Sequence, residues 1–209
     1  MDLNNLKLTS LSEIITIVTP IVILVGLATK LGMYNHPDIN AIWIIGLFSP
    51  LDYMLTNLEV YVVYFFAWYY FSTMYKKDQP IKSHSIVLSI FIIVIIFLTT
   101  IQEFLQAALA FRTLIAYIGC SLIFLSNSKF WKFIGVLVVF FIVPYANGWQ
   151  KISLYEYGNK RPIVVLKDDK TRWSLLDKYS DKAILFNSQK SGNEFKVIEL
   201  KDIQIIKNS

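Results

Sequence analysis

Six polar residues stand in or beside strongly apolar sequence: Asp52, Glu59, Gln102, Glu103, Gln106 and Arg112. Asp52 and Glu59 are two helical turns apart, so one helix covering both would carry the two carboxylates on one face. Gln102, Glu103 and Gln106 can make a second polar face, and Arg112 is the cation available to pair with an acid. Ionisable groups inside a bilayer are costly and mark ion or proton pathways, or polar seams between subunits. The plainer reading has weight too. Asp52, Glu59 and Glu103 all lie near the ends of apolar segments, where a carboxylate caps a helix or meets interfacial water. Arg112 is different: it interrupts an apolar run, and a central Arg costs roughly 3 kcal/mol on insertion scales. It is the candidate for a specific buried role, pairing with an acid.

Other residue types offer less chemistry. His36 and His84 are isolated and fall in loops, with no partner at metal-ligand spacing. Cys120 is the single cysteine and sits in an apolar run, so it reads as a small buried hydrophobe. The chain has only eight glycines, with no phosphate-cradling glycine loop and no G-x-S-x-G, H-E-x-x-H or C-x-x-C. The expectation is a protein that is not an enzyme, without cofactor or metal.

The elements that must position these residues are membrane spans. Of the 209 residues 55% are hydrophobic and only 17% charged, against about 25% charged in a soluble domain; mean hydropathy is +0.51. Charge is uneven: residues 150–209 hold 12 of the 20 Lys and Arg and 8 of the 15 Asp and Glu. The first 149 residues have too little charge for a water-facing surface of their size. The expected organisation is therefore a polytopic helical domain over residues 1–149 and a small soluble domain over 150–209.

The first span covers residues 14–34, uncleaved, with Lys30 snorkelling to the headgroups. Residues 41–48 are apolar but too short to cross, and fit an interfacial or re-entrant helix with Trp43 at headgroup level. A second span, 55–75, is dense in aromatics that face lipid rather than line a ligand groove. Lys76, Lys77 and Lys82 follow and mark a cytoplasmic loop. A third span covers 85–101 and a last one 130–145, stopped by Pro144 and Gly148. Residues 104–125 either cross with Arg112 near mid-membrane or form two half-helices that dip in and out. The basic flank Lys151, Lys160 and Arg161 favours the re-entrant option. That gives about four transmembrane helices in the inner membrane, with the N-terminus and the C-terminal domain both in the cytoplasm.

From residue 152 the pattern changes to short β-like runs at 153–157, 162–167, 171–176, 182–187, 194–200 and 203–206, separated by turn residues such as 177–181. Ile163-Val164-Val165-Leu166, Trp173-Ser174-Leu175-Leu176, Ala183-Ile184-Leu185-Phe186 and Phe195-Lys196-Val197-Ile198 resemble the strands of an SH3-like or Sm-like barrel. That resemblance implies a small all-β interaction module over the last quarter of the chain. Its basic excess is interleaved with Asp168, Asp169, Asp177 and Asp181, so it reads as a solvated surface, and nucleic acid is not an expected partner.

The functional expectation is a non-enzymatic membrane sensor or scaffold, a homo-oligomer in the lipid bilayer, whose β domain binds a cytoplasmic protein or self-associates. The alternative is an oligomeric channel or permease using Asp52, Glu59, Glu103 and Arg112. In size and layout the chain is also similar to the small membrane subunits of bacterial phage-defence systems of the Kiwa kind, which would be one setting for the scaffold role.

Overall fold

The computed structural model describes residues 11–56, 61, 64–65, 69, 71, 73, 80–100, 104–157, 161–167, 171–189 and 192–207. Helix α1 spans Leu11–Tyr34 and ends in a turn. A 3-10 helix over Ile42–Leu47 and a short α2, Pro50–Leu55, follow. The long helices are α3, Pro80–Thr100, and α4, Phe104–Leu125. After a loop come α5, Lys129–Leu137, a π-helical turn, Val138–Ile142, and α6, Val143–Tyr157, which run on as one rod. Among the described residues three stretches are long and apolar enough to cross a bilayer: Ile15–Tyr34, Gln106–Leu125 and Lys129–Leu154. The apolar part of α3, Val87–Thr100, is shorter.

Two helical expectations change. Residues 104–125 form one continuous helix through Arg112 and Thr113, not two half-helices. Neither residue breaks a helix, and the Thr113 hydroxyl donates back to the Leu109 carbonyl at 2.9 Å. The stop signals near Pro144 do not stop the last helix either. The π turn just before Pro144 relaxes the backbone where a proline ring would press on the preceding turn. The rod then continues to Tyr157, so residues 153–157 are helix rather than strand.

Gly148 has a packing reason. A Cβ there would lie 1.9 Å from the Thr29 carbonyl oxygen, and one at Gly32 would lie 1.9 Å from that of Tyr145. Helices α1 and α6 therefore cross backbone to backbone, which only small residues allow.

The C-terminal part is a five-stranded antiparallel sheet: β1 Ile163–Leu166, β2 Trp173–Tyr179, β3 Lys182–Gln189, β4 Gly192–Glu199 and β5 Ile203–Lys207. Their order is β4-β3-β2-β1-β5. The sheet is open; the SH3-like or Sm-like closed barrel expected from the strand spacing is not formed. The physical reason lies in its two faces. Val164, Leu166, Trp173, Ala183 and Leu185 pack together on one face. On the other, Leu176, Ile184 and Phe186 pack against Met33, Tyr34, Ile39, Ile44, Phe48 and Ile152 from the helical part. The helical part covers the face that a barrel would cover with its own strands. This also explains why all of Ala183-Ile184-Leu185-Phe186 is buried: β3 is covered on both sides.

Candidate functional site

The most heavily bonded polar cluster joins the bundle to the sheet. Lys30, one turn before the end of α1, forms an ion pair with Asp177 of β2. The Tyr34 hydroxyl donates to the same carboxylate oxygen at 2.8 Å, and the Lys178 backbone N–H donates to the other at 2.8 Å. Side-chain exposure is 5% for Lys30 and 14% for Asp177, so the pair is shielded from water. The Lys30 ammonium also sits 4.4 Å from the centre of the Phe48 ring.

A register shift in β2 aims Asp177 there. Ser174 pairs with Phe186 and Leu175 with Leu185, but Asp177 pairs with Ile184. The extra residue, Leu176, puts Asp177 opposite Ile184, on the face that meets the bundle. Without that bulge strict alternation would turn Asp177 away.

Further bonds extend this junction. Ser49 and Asp52 form a capping box on α2, and an Asp52 oxygen accepts the Ser180 backbone N–H of the β2–β3 turn at 3.3 Å. Partial burial disfavours the charged Asp52, but bonds from the Ser49 hydroxyl and backbone and from Ser180, with the nearby Lys30 charge, outweigh it. Its carboxyl is held below the usual range. The Asn193 amide of β4 donates to the Asp38 carbonyl at 2.8 Å, and Trp43 meets Phe195 edge to face at 6.1 Å.

His36, expected in an open loop, is buried in the turn after α1. Its Nε2 lies 3.1 Å from the Ser153 hydroxyl, its Nδ1 lies 2.9 Å from Asp38 Oδ2, and its ring packs against Trp149. Burial lowers the imidazole pKa despite the neighbouring Asp38 carboxylate, and the charge of Arg161 adds to the lowering.

A second polar cluster forms around Arg112. Its guanidinium donates to the Asn147 and Gln150 side-chain oxygens of α6, the latter at 2.9 Å. These two partners are amides, where the sequence led to the expectation of an acid. Of the remaining candidates, two lie within the described residues. Asp52 caps α2 beside the sheet, Gln106 is exposed on α4, and Glu59, Gln102 and Glu103 lie outside the described residues. The aromatic stretch divides its roles. Tyr64 donates to the Val139 carbonyl in the π turn at 2.5 Å and Phe71 stacks on Phe124, while Phe65 and Tyr69 are exposed. Cys120 is buried with Phe71 and Val139.

Lys30 and Asp177 escaped sequence reasoning. Lys30 reads as a snorkelling residue and Asp177 as the start of a turn. The available signal was Lys30 standing alone among apolar residues near the end of a span, and Asp177 following the apolar pair Leu175-Leu176. Asn147 and Gln150 gave less, because amides near a glycine resemble a helix end. No family model matches the chain, and neither the curated proteins nor the solved structures include one similar to it.

Proposed function

We propose that the chain is a non-enzymatic inner-membrane scaffold or sensor in which the bundle and the sheet act as one body and the sheet mediates protein interaction or self-association. The observation that carries this reading is the Lys30–Asp177–Tyr34 cluster, which ties the first helix to the second strand. A sheet held this way reports displacements of the helices instead of hanging from a tether. Strands β4 and β5 form the two edges of the sheet, and Ile205 and Ile206 on β5 are exposed. An open edge with exposed apolar side chains suits strand addition or an apolar contact.

We further propose an odd number of membrane crossings. Helix α1 and the α5–α6 rod both end at the sheet, so both begin at the opposite end of the bundle. The N-terminal end of α1 and the sheet then face opposite sides, in contrast with the four-span reading. Paired topology reporters before Met1 and after Ser209 should read opposite sides; equal readings would refute this arrangement.

The scaffold reading is tested with full-length protein. Ile205→Lys/Ile206→Lys should abolish self-association, read by cross-linking in nanodiscs, while thermal stability stays near that of the parent. Ion conductance in planar bilayers that disappears with Arg112→Ala would replace the scaffold by a channel.

A further inference from the structure

A guanidinium can only donate hydrogen bonds. The two amides that face Arg112 must therefore turn their carbonyl oxygens toward it, and this fixes the orientation of Asn147 and Gln150. Their NH2 groups then point elsewhere. Asn147 is 7% exposed and Gln150 8%, and neither Asn147 Nδ2 nor Gln150 Nε2 has a hydrogen-bond partner. Buried donors without acceptors are destabilising, and nearly all native buried groups avoid that state. Beside a cation, two such donors make a receptor for an oxygen-rich acceptor, best an anion.

Helix geometry gives the level of this cluster in the bilayer. Arg112 lies about 20 Å along α4 from Leu125, and Asn147 about 27 Å along the α5–α6 rod from Lys129. The Arg112 side chain thus climbs toward the sheet. Gly148, next to Asn147, packs on Thr29, near the sheet end of α1. In a hydrocarbon layer of about 30 Å, these amides reach the headgroup level of the leaflet nearest the sheet.

We propose that Arg112, Asn147 and Gln150 form a binding site for a phosphate-bearing anion, presented by a phospholipid headgroup of that leaflet. Basic pockets between transmembrane helices are suited to such headgroups. Phosphate in solution offers the same chemistry. The site needs only that the bundle sits in a bilayer, and is independent of the role given to the sheet.

The test uses full-length protein stripped of lipid in detergent, then supplied with phosphatidylglycerol, diacylglycerol or inorganic phosphate. Native mass spectra and thermal unfolding are recorded for each. Phosphatidylglycerol should stay bound and raise the unfolding midpoint. Diacylglycerol, with the same acyl chains and no phosphate, should do neither. Asn147→Leu/Gln150→Met removes both donors at nearly constant volume and should weaken phosphatidylglycerol retention about tenfold, the scale of one charge-assisted bond. Gln150→Met alone is the milder variant, should weaken retention by a smaller factor, and serves if the double variant does not fold. If inorganic phosphate alone reproduces the midpoint shift, the anion site stands and its ligand is the ion in solution. Equal phosphatidylglycerol retention by the parent and both variants, or equal stabilisation by diacylglycerol, overturns the proposal.

Discussion

Lys30, which is buried, and Arg112, which is half-buried, are treated differently. Lys30 meets a carboxylate that also accepts bonds from Tyr34 and Lys178, so the polar groups around it are mutually satisfied. Arg112 draws in two amides and leaves each with an unpaired donor. The first arrangement is closed upon itself and suits a joint; the second still has bonding capacity and suits a ligand. The joint's strength comes mainly from its surroundings. Each fully buried Ile or Phe contributes about 1.5–3 kcal/mol, and Ile44, Ile152, Ile184 and Phe186 all pack there. A buried ion pair nets little against apolar residues of the same shape. What Lys30 and Asp177 add is register, because any other docking of the sheet would strand both charges.

The comparison is easiest to break at the joint. Lys30→Met should destabilise by about 3–5 kcal/mol, because it leaves the Asp177 carboxylate buried without its counter-ion. Adding Asp177→Leu should restore most of the loss. Unfolding in mixed micelles measures both, and a Lys30→Met protein as stable as the parent would show that the pair is not shielded. Gly148→Ala should come next, at about 1–3 kcal/mol, since the new Cβ must push α6 away from the Thr29 carbonyl; the same unfolding assay reads it.

In the Arg112 cluster, Gln150→Met should cost about 1 kcal/mol or less in lipid-free detergent. It removes one acceptor from the guanidinium and one unpaired donor together. A loss as large as that of Lys30→Met would end the distinction between the two clusters.

The smallest expected effect is a pH dependence at His36. Its folded pKa lies below the ordinary 6.5, so the unfolded chain takes up the proton first. The contribution of His36 to stability is complete above pH 6.5 and is lost as pH falls through its lowered folded value. Protection factors of the amides in the turn after α1, corrected for the intrinsic pH dependence of exchange, should fall below pH 6.5, and His36→Phe should remove that component.

Much of the helical architecture was legible because hydrophobic run length reports membrane spans directly. Strands β1 to β5 were legible as well, from apolar runs punctuated by turn residues. That the sheet stays open was not, because it depends on Ile44 and Phe48, distant in sequence and read as membrane-bound, and on Ile152, read as the start of the β domain. The continuation of the last helix through Pro144 was hidden for a local reason: the π turn that accommodates it has no composition signal. Of the polar candidates, Arg112 stood out because it alone broke an apolar run. Asn147 and Gln150 became visible only when α6 was placed against α4. Lys30 and Asp177 needed the whole chain, and a bulge at Leu176 that strict strand alternation does not anticipate.

The partners in the ion pair are 147 residues apart, and this orders events during synthesis. The ribosome delivers Lys30 to the membrane long before Asp177 exists. Until then the ammonium lacks its ion-pair partner, and the end of the first helix must keep it near water at the surface. Docking of the sheet draws that charge inward and closes the structure. Assembly of the first helix is therefore completed by a segment made well after it, and a chain halted before Asp177 should present an unlocked first helix to the quality-control machinery of the cell.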